Sequence, residues 1–191
     1  MWVKVFEGLA PRFLTCDRFA TGLPHEDDVD LRRGFFTFAA SDMTITQEFP
    51  NQPDIVAMLD KLDAYCGELY PAESNHLMDV ASLMHPSVVF LVARDANGIA
   101  TGCGAYVDRG GYAEIKRMYV DPTRRGQGTG GRLLAELTLR AARAGLTGLK
   151  LETGILQPEA IALYERDGFT LCGPFGQYQL DPLSIFMERP L

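Results

Sequence analysis

The feature that most constrains the fold of this chain is a glycine-rich turn between a strand-like segment and an amphipathic helical segment. The turn reads RRGQGTGG over residues 124–131. The segment before it, YAEIKRMYV (112–120), has the composition of a strand, and the helix after it carries an apolar stripe and ends near Gly145. A second strand, LKLET (149–153), follows. A strand–helix–strand unit of this length predicts two parallel strands joined by a right-handed crossover.

Further strands and helices are predicted on both sides of this unit. Asn97-Gly98 lies between two apolar runs, which predicts a hairpin turn with positive φ angles at both residues. Pro53 and Pro158 stand at favourable first positions of helices. The predicted strands cover 43–49, 88–94, 99–107, 169–172 and 183–188, and the predicted helices cover 53–66, 73–84 and 158–167.

This order of elements predicts a single α/β domain over residues 43–191, with a mixed, mostly antiparallel sheet flanked by helices and a parallel βαβ unit at 112–153. The composition, 47% hydrophobic and 23% charged, is that of a globular protein. Residues 1–42 mix glycine, proline and clustered charge without a sustained period. We interpret them as a loosely ordered N-terminal extension, with Met43 as an alternative translation start.

Charge and cysteine usage narrow the function classes. Eighteen Lys and Arg against 25 Asp and Glu give a net charge of −7, which argues against nucleic-acid and anionic-membrane partners. No apolar run reaches the roughly 18 residues of a membrane span, and the first residues do not have the pattern of a secretory signal. Four dispersed cysteines and three dispersed histidines predict no metal site. We therefore expect a cytoplasmic protein with reduced thiols.

The glycine-rich turn also predicts a binding site for phosphate. Glycines at the start of a helix let the backbone approach an anion, and the first helical N–H groups can bind it. Basic residues add positive charge near this point of an acidic chain; they are Lys116, Arg117, Arg124, Arg125 and Arg132. The alternative interpretation is a tight turn with solvated arginines.

A dinucleotide-binding turn is a minor alternative. Gly126, Gly128 and Gly131 satisfy G-x-G-x-x-G, and Glu152 follows about 20 residues later. However, five residues separate the strand from the first glycine, and the preceding strand follows an antiparallel hairpin. The 60 residues after Gly131 are too few to complete a doubly wound sheet.

Two stretches of the chain resemble motifs of the GNAT superfamily of N-acetyltransferases. MYVDPTRRGQGTGGRLL (118–134) resembles motif A, Q/R-x-x-G-x-G/A, with Arg125, Gly128 and Gly130 at its fixed positions. EAIALYERDGF (159–169) resembles motif B. The resemblance extends over the whole of the predicted domain.

The resemblance implies that acetyl-CoA is the co-substrate and that its acetyl group passes directly to a primary amine, most simply of a small molecule. It implies that strands 112–120 and 149–153 splay apart to hold the pantetheine arm, which would pair with the first strand as an extra strand does. Gln157 departs from the pattern, since many members have Asn there. The implied cofactor site, which needs no metal, comprises Met118, Val120, Arg124, Arg125, Gly126, Gln127, Gly128, Thr129, Gly130 and Gly131.

Acetyl transfer to an amine needs a base, because an alkylamine of pKa about 10.4 is roughly one part in 2,500 neutral at pH 7. The resemblance implies that Glu114 takes the proton. In a regular strand, alternation would place Glu114 on the same face as Met118 and Val120. The alternative is a surface carboxylate paired with Lys116 or Arg117.

The departing thiolate can take a proton from a phenol, and the resemblance implies that Tyr164 is this acid. The alternative is a core aromatic residue packed between Leu163 and Phe169. The backbone N–H of Met118 would polarise the thioester carbonyl. Cysteines have no neighbouring base in the sequence, so an acyl-cysteine route has little support.

The acceptor is predicted less directly. Residues 43–79 sum to −6 and belong to the wall that the family uses for its acceptor, which favours a cationic amine by electrostatic steering. A solvated helix face is the alternative. A GNAT fold can also bind acyl-CoA without turnover and act as a sensor or interaction module, and a homodimer through the C-terminal strands stays open. Tyr65, Tyr70, Phe175 and Tyr178 are expected to line the apolar part of the acceptor groove.

Overall fold

A computed structural model describes residues 43–191, so the interpretation of residues 1–42 lies outside the described residues. The strands are β1 (Thr44–Gln47), β2 (Val88–Arg94), β3 (Ala100–Asp108), β4 (Ala113–Val120), β5 (Gly148–Gly154), β6 (Thr170–Leu171) and β7 (Ser184–Pro190). The helices are α1 (Pro53–Leu69), α2 (Val80–Leu83), α3 (Thr129–Arg143) and α4 (Pro158–Arg166), with 3₁₀ turns at Ala72–Ser74 and Pro122–Arg124.

All seven of these strands belong to one mixed sheet, in the order β1-β2-β3-β4-β5-β7-β6. Strands β4 and β5 are parallel and are connected through α3, whereas every other pair is antiparallel. The predicted fold class and the predicted parallel unit at 112–153 are therefore confirmed. Within residues 43–191, no helix is both long enough and apolar enough to cross a membrane.

Hydrophobic cores cover both faces of the sheet. Helix α1 packs Ile55 and Leu59 against Phe90 of β2 on one face. On the other face, α3 packs Leu133 with Leu91 of β2. Phe90 and Leu91 are sequence neighbours that enter different cores, because successive side chains of a strand point to opposite faces. The sheet is thus buried between two layers of helix.

Two local expectations are wrong. The predicted helix over 73–84 is reduced to a 3₁₀ turn and the short α2, because the Asp79 side chain accepts the Ser82 N–H at 2.7 Å and starts a new helix there. In the hairpin turn only Gly98 has a positive φ, of 77°. The Asp95 side chain closes this turn instead, by accepting the backbone N–H groups of Asn97 and Ile99, each at 3.0 Å.

Strands β4 and β5 separate shortly after they begin to pair. Their register includes three pairs, from Ala113 with Leu149 to Ile115 with Leu151. Strand β5 then continues against β7 as far as Gly154, while β4 continues against β3 as far as Val120. The predicted splay of the two strands is present, and it leaves one edge of the second half of β4 without a neighbouring strand among the described residues.

A β-bulge interrupts β4 at Arg117. This residue has a φ of 56°, and the register with β3 passes from Cys103 opposite Tyr119 to Ala105 opposite Lys116. Two residues of β4 therefore face the single residue Gly104. The interruption shifts the alternation of side chains along the strand by one position.

The shift corrects the expectation that one face of β4 carries Glu114, Met118 and Val120. Met118 packs with the core under α3, and Val120 lies beside Gly130 of that helix. Glu114 points to the other face, because it lies on the far side of the bulge. The glutamate and the two residues that the resemblance assigns to the cofactor thus belong to different faces of β4.

Candidate active site

Three neighbouring cavities lie along the opening between β4 and β5. We call them the glycine groove, on the side of α3 and α4; the junction cavity, between the separating strands; and the outer groove, bordered by the β3–β4 turn and the segment before β7. Met118 and Tyr164 border both the glycine groove and the junction cavity. Ser74 and His76 border both the junction cavity and the outer groove.

Two glycines that border the glycine groove have positive φ angles. Gly126 and Gly128 have φ angles of 76° and 81°, which L side chains rarely adopt. The Arg132 N–H donates to the Gly128 carbonyl at 3.0 Å, so the amides immediately before Arg132 have no acceptor within the helix. Of the residues predicted to bind the cofactor, all except Gln127 border this groove; they are Met118, Val120, Arg124, Arg125, Gly126, Gly128, Thr129, Gly130 and Gly131.

The positive charge near the groove differs from the sequence-based expectation. Lys116 and Arg117 lie on the opposite face of β4 and pair with Glu114 and Asp63. Arg124 and Arg125 do border the groove, and so does Arg166 of α4, which was not among the basic residues predicted to lie there. The sequence offered one indication that Arg166 lies near the site, which is its position two residues after Tyr164 on the helix of motif B.

The two arginines of the turn already have protein partners. Arg124 lies 3.0 Å from the Asp95 carboxylate, and Arg125 donates its Nε–H to the Val120 carbonyl at 3.3 Å. Both contacts are at least partly exposed, so an anion can compete for these guanidinium groups.

Tyr164 lies where the glycine groove meets the junction cavity. It is only 6% exposed, and its ring packs against Phe169 with centroids 5.7 Å apart. Burial, with a smaller contribution from Glu152, raises the pKa of the phenol well above its usual value. The residue is therefore a core aromatic and also borders the cavity, so the two interpretations of the sequence are compatible.

The connection from β5 to α4 is held by Tyr70 and Gln157. The Tyr70 hydroxyl accepts the Leu156 N–H at 2.8 Å. The Gln157 side-chain oxygen accepts the Gly154 N–H at 3.2 Å and the Thr153 hydroxyl at 3.3 Å. Gln157, the departure from the family pattern, thus shapes the loop that borders the junction cavity.

Glu114 is buried and strongly paired. Arg109 donates its Nε–H to Oε2 at 2.7 Å, and Tyr178 donates its hydroxyl to Oε1 at 2.7 Å. Lys116 lies 3.2 Å from Oε1 and also donates to the Tyr178 hydroxyl. Burial alone would raise the pKa of Glu114, but these partners outweigh it and hold the pKa below its usual value. The alternative prediction, a surface carboxylate paired with Lys116 or Arg117, is correct about the pairing with Lys116. It is wrong about exposure, because Glu114 is buried.

Aromatic rings form one wall of the outer groove. Phe175 contacts Tyr112, Tyr178 and Phe186 in edge-to-face geometry, with centroids between 5.2 and 5.9 Å apart. Phe175 and Tyr178 were expected to line the acceptor site, and they line this groove. Of the other two expected residues, Tyr70 borders the junction cavity and Tyr65 borders the glycine groove.

Glu152, which the sequence indicates only as part of a dinucleotide-binding pattern, is a further carboxylate of the site. It borders the junction cavity, and Ser184 donates its hydroxyl to Oε1 at 2.7 Å. In the strand LKLET, alternation directs the Glu152 side chain to the face opposite to the buried Leu149 and Leu151. This was the one indication of its position that the sequence offered. Only the separation of β4 from β5 turns that position into the border of a cavity.

The acidic segment 43–79 does not line the outer groove as expected. Glu48 and Asp54 pair with Arg94 on another part of the surface. Asp63 pairs with Arg117, and Asp79 begins α2. Among its carboxylates, only Glu73 borders the outer groove. The steering argument for a cationic amine therefore loses most of its basis.

Residues 43–191 contain no clustered metal ligands, and their cysteines are buried or partly buried. No group of three or more His, Cys, Asp or Glu side chains there is arranged to hold a metal ion. Cys103 is fully buried, and this burial raises the pKa of its thiol to about 12, which leaves almost no nucleophilic thiolate.

Known proteins share both the sequence pattern and the fold. The family model for the acetyltransferase (GNAT) domain matches residues 86–171. The IAA acetyltransferase of Azospirillum brasilense is 52% identical over 151 residues, which cover 78% of this chain and 98% of that protein. The chain therefore belongs to the GNAT superfamily, and it is an acetyltransferase enzyme.

Solved structures agree with this assignment. A Klebsiella pneumoniae protein assigned as an acyl-CoA N-acyltransferase is 42% identical, with a TM-score of 0.69 over 78% of this chain and 97% of its own. An aminoglycoside 6'-N-acetyltransferase crystallised with coenzyme A has a TM-score of 0.61 over 77% of this chain and 96% of its own, at 20% identity. The second likeness concerns the fold alone.

Proposed function

We propose that this enzyme transfers the acetyl group of acetyl-CoA directly to a primary amine of a small molecule in the cytoplasm. The observation that carries the proposal is the opening between β4 and β5. It connects a groove suited to a diphosphate with a cavity bordered by a buried tyrosine and a carboxylate. Direct transfer is favoured because Cys66, the cysteine that borders the junction cavity, is buried, and burial raises the pKa of its thiol and disfavours the nucleophilic thiolate.

The glycine groove fits the diphosphate and pantetheine parts of acetyl-CoA. The free amides at the start of α3 and the helix dipole favour an anion there, and Arg124 and Arg125 add positive charge. The open edge of β4 near Met118 and Val120 suits an extended arm that pairs as a strand does. When bound, acetyl-CoA would supply the activated acetyl thioester.

Within this proposal Tyr164 protonates the departing thiolate, and the Met118 N–H stabilises the negative charge that develops on the carbonyl oxygen. Burial raises the pKa of Tyr164, so the phenol keeps its proton throughout the neutral and mildly alkaline range. It is therefore in the correct state to donate at any pH at which the amine is acetylated.

Two carboxylates compete for the role of base. Glu114 is the residue that the family resemblance implies, but its partners Arg109, Lys116 and Tyr178 favour its ionised form and weaken it as a proton acceptor. Glu152 borders the junction cavity beside Tyr164 and has only the Ser184 hydroxyl as a hydrogen-bond donor among the described residues. Glu114 stays our proposal from the sequence, and Glu152 is the second candidate because of its place at the cavity.

The test measures thiol release from acetyl-CoA across a panel of small amines, amino acids, polyamines and peptides, together with acetyl-CoA affinity by calorimetry. We expect Tyr164→Phe to lower kcat by about 10- to 100-fold while the affinity for acetyl-CoA is kept. Tyr106→Phe is the matched control, because Tyr106 is also buried but borders none of the three cavities. Glu114→Gln and Glu152→Gln then identify the base, by which of them removes the acidic limb of the pH profile of kcat.

The outcomes separate the candidate functions. Release that depends on one acceptor and falls in Tyr164→Phe supports the proposal. Tight binding of acetyl-CoA without release on any amine would favour an acyl-CoA-binding module instead. An absence of acetyl-CoA binding would contradict the assignment of the glycine groove.

A further inference from the structure

The outer groove and the junction cavity have side chains of opposite charge at their two ends, and this arrangement indicates which acceptor the proposed reaction uses. An exposed cation, Arg109, stands at the outer end, where it borders the outer groove. A carboxylate, Glu152, stands at the inner end, in the cavity that also contains Tyr164. This inference rests on the proposed function and adds the class of amine.

The outer cluster has an excess of positive charge. Arg109 and Lys116 share the single carboxylate of Glu114, which contacts both of them. Both oxygens of Glu114 are already occupied, because Tyr178 donates to the one that Lys116 approaches. The Arg109 side chain is 45% exposed, so it can bind a further anion while it keeps the contact with Glu114. Arg109, Lys116 and Glu114 together therefore have a net charge of about +1.

The inner end has the opposite charge, and the strand register orders the two ends. Glu114 lies beside Lys150 in the last paired part of β4 and β5. Lys116 and Glu152 each lie two residues further along these strands, where the strands have begun to separate. Arg109, which is held against Glu114, therefore lies nearer the outer groove, whereas Lys116 lies level with Glu152 across the opening.

Carboxylates at the rim do not cancel this polarity. Asp181 turns its carboxylate towards its own loop, where it accepts the Leu183 N–H at 2.8 Å and a hydrogen bond from the Ser74 side chain, and solvent screens its remaining charge at the rim. Glu73 is exposed, where solvent screens its charge.

The remaining surface of the groove is apolar and aromatic. Phe175, Tyr112 and Tyr178 form the wall described above. Leu180 at the rim is 86% exposed, and Leu77 beside the junction cavity is 40% exposed. Exposed large apolar side chains at the rim of a cavity favour a ligand with an apolar body.

We propose that the acceptor is a zwitterionic α-amino acid with an aromatic or aliphatic side chain. Its carboxylate binds the exposed guanidinium of Arg109, its side chain packs on the wall of Phe175, and its ammonium group faces Glu152, which in this pose takes the place of Glu114 as the base. A polyamine, by contrast, would bring further positive charge into this cluster.

The experiment compares acceptors that differ only in the carboxylate. L-Phenylalanine, L-tryptophan, L-leucine and L-methionine are each assayed against the corresponding carboxamide and the decarboxylated amine, with acetyl-CoA as donor. The variants are Arg109→Gln and, as a matched control, Arg143→Gln, which changes an exposed arginine at the end of α3. Because the amines differ in their own pKa, the measured quantity is how each variant changes the ratio of kcat/KM between carboxylate and carboxamide.

We expect at least one free amino acid to be acetylated, and Arg109→Gln to reduce its advantage over the carboxamide by about tenfold or more. Arg143→Gln should leave this ratio unchanged. An equal loss on carboxylate and carboxamide in Arg109→Gln would overturn the proposal, because it would mean that Arg109 only positions Glu114. Acetylation of the decarboxylated amines or polyamines alone would overturn it as well, as would binding of acetyl-CoA with no acetylation of any of the amino acids. Failure to bind acetyl-CoA is a different result, and it would contradict the proposed function itself.

Discussion

At the scale of single residues, Gly128 combines two requirements that can be separated by experiment. Its φ of 81° strains any L side chain, and its position at the first turn of α3 borders the glycine groove. Gly145 has a φ of 80° at the other end of the same helix, away from the groove. The two glycines therefore share the conformational requirement and differ only in their relation to the groove.

We expect Gly128→Ala and Gly145→Ala each to lower the free energy of unfolding by about 1–2 kcal/mol, because both force a left-handed conformation on alanine. Only Gly128→Ala should also weaken acetyl-CoA binding, since its methyl group enters the space of the diphosphate. Chemical denaturation and calorimetry measure the two effects. Equal acetyl-CoA affinity in both variants would contradict the role of the turn.

Gly154 is required for a different reason, which is close packing. A Cβ atom at this position would overlap the phenol ring of Tyr70, whose hydroxyl accepts the Leu156 N–H at 2.8 Å. We expect Gly154→Ala to lower the free energy of unfolding by about 1–3 kcal/mol, since the ring must move and release that N–H. A double-mutant cycle with Tyr70→Ala provides the check: the cost of Gly154→Ala should fall when the ring is absent, and additive effects would refute the clash.

At the scale of elements, the bulge in β4 is fixed by an ion pair to α1. Arg117 adopts its positive φ with a side chain that is only 2% exposed, and its guanidinium pairs with Asp63. Its Nε has no hydrogen-bond partner among the described residues. The pair therefore connects the helix beside the glycine groove with the strand segment that carries Met118.

We expect Asp63→Ala to lower the free energy of unfolding by about 1–3 kcal/mol, because it leaves a buried guanidinium without its carboxylate. The same change in an Arg117→Gly background should cost much less, since glycine accepts the positive φ and carries no charge. Asp60→Ala is the control, as Asp60 is exposed on the same helix. Urea denaturation of the unmodified protein, Asp63→Ala, Arg117→Gly, the double variant and the control measures these costs. An unchanged cost of Asp63→Ala in the glycine background would contradict the coupling.

At the scale of the whole molecule, Arg94 of β2 connects the edge of the sheet to α1. It pairs with Glu48, just after β1, at 2.8 Å and with Asp54 of α1 at 2.7 Å. The hydrogen bonds from Arg94 outweigh desolvation and lower the pKa of Glu48 to about 2. A lowered pKa in the folded state means that the stabilisation is complete above the ordinary glutamate pKa and is lost as the pH falls towards 2.

Stability should therefore decrease between about pH 5 and pH 2, with about 1–3 kcal/mol of the loss attributable to Glu48. In Arg94→Gln this part of the loss should already be present at pH 7, so the stability of the variant should depend less on pH over the same interval. Arg143→Gln should follow the unmodified protein. Thermal unfolding followed across this range measures the slopes, and parallel slopes for Arg94→Gln and the unmodified protein would contradict the assignment.

Whether a feature of the structure could be predicted from the sequence depends on how far apart in the chain the interacting residues are. The parallel unit at 112–153 was predictable because its glycines, its apolar stripe and its strands are determined by residues close in sequence. The prediction of a helix over 73–84 was wrong because the Asp79 side chain accepts a backbone N–H group and begins a new, short helix there. The prediction of the face on which Glu114 lies was wrong because a bulge three residues later changes the alternation of side chains. The bulge was not predictable, because its residue with positive φ is Arg117 and not a glycine.

The sequence by itself determined the fold class, the glycine turn and the position of Tyr164 on the helix of the second motif, since each depends on short-range spacing. Only the tertiary structure decided which charges meet. Glu114 contacts Tyr178, 64 residues away in the chain, and Arg117 contacts Asp63, 54 residues away. Such pairs are set by the packing of separate elements, and the same packing placed Glu152 at a cavity and directed the acidic segment away from the outer groove. The charge that an acceptor meets is thus a property of the folded sheet, because composition counts charges without the partners that neutralise them.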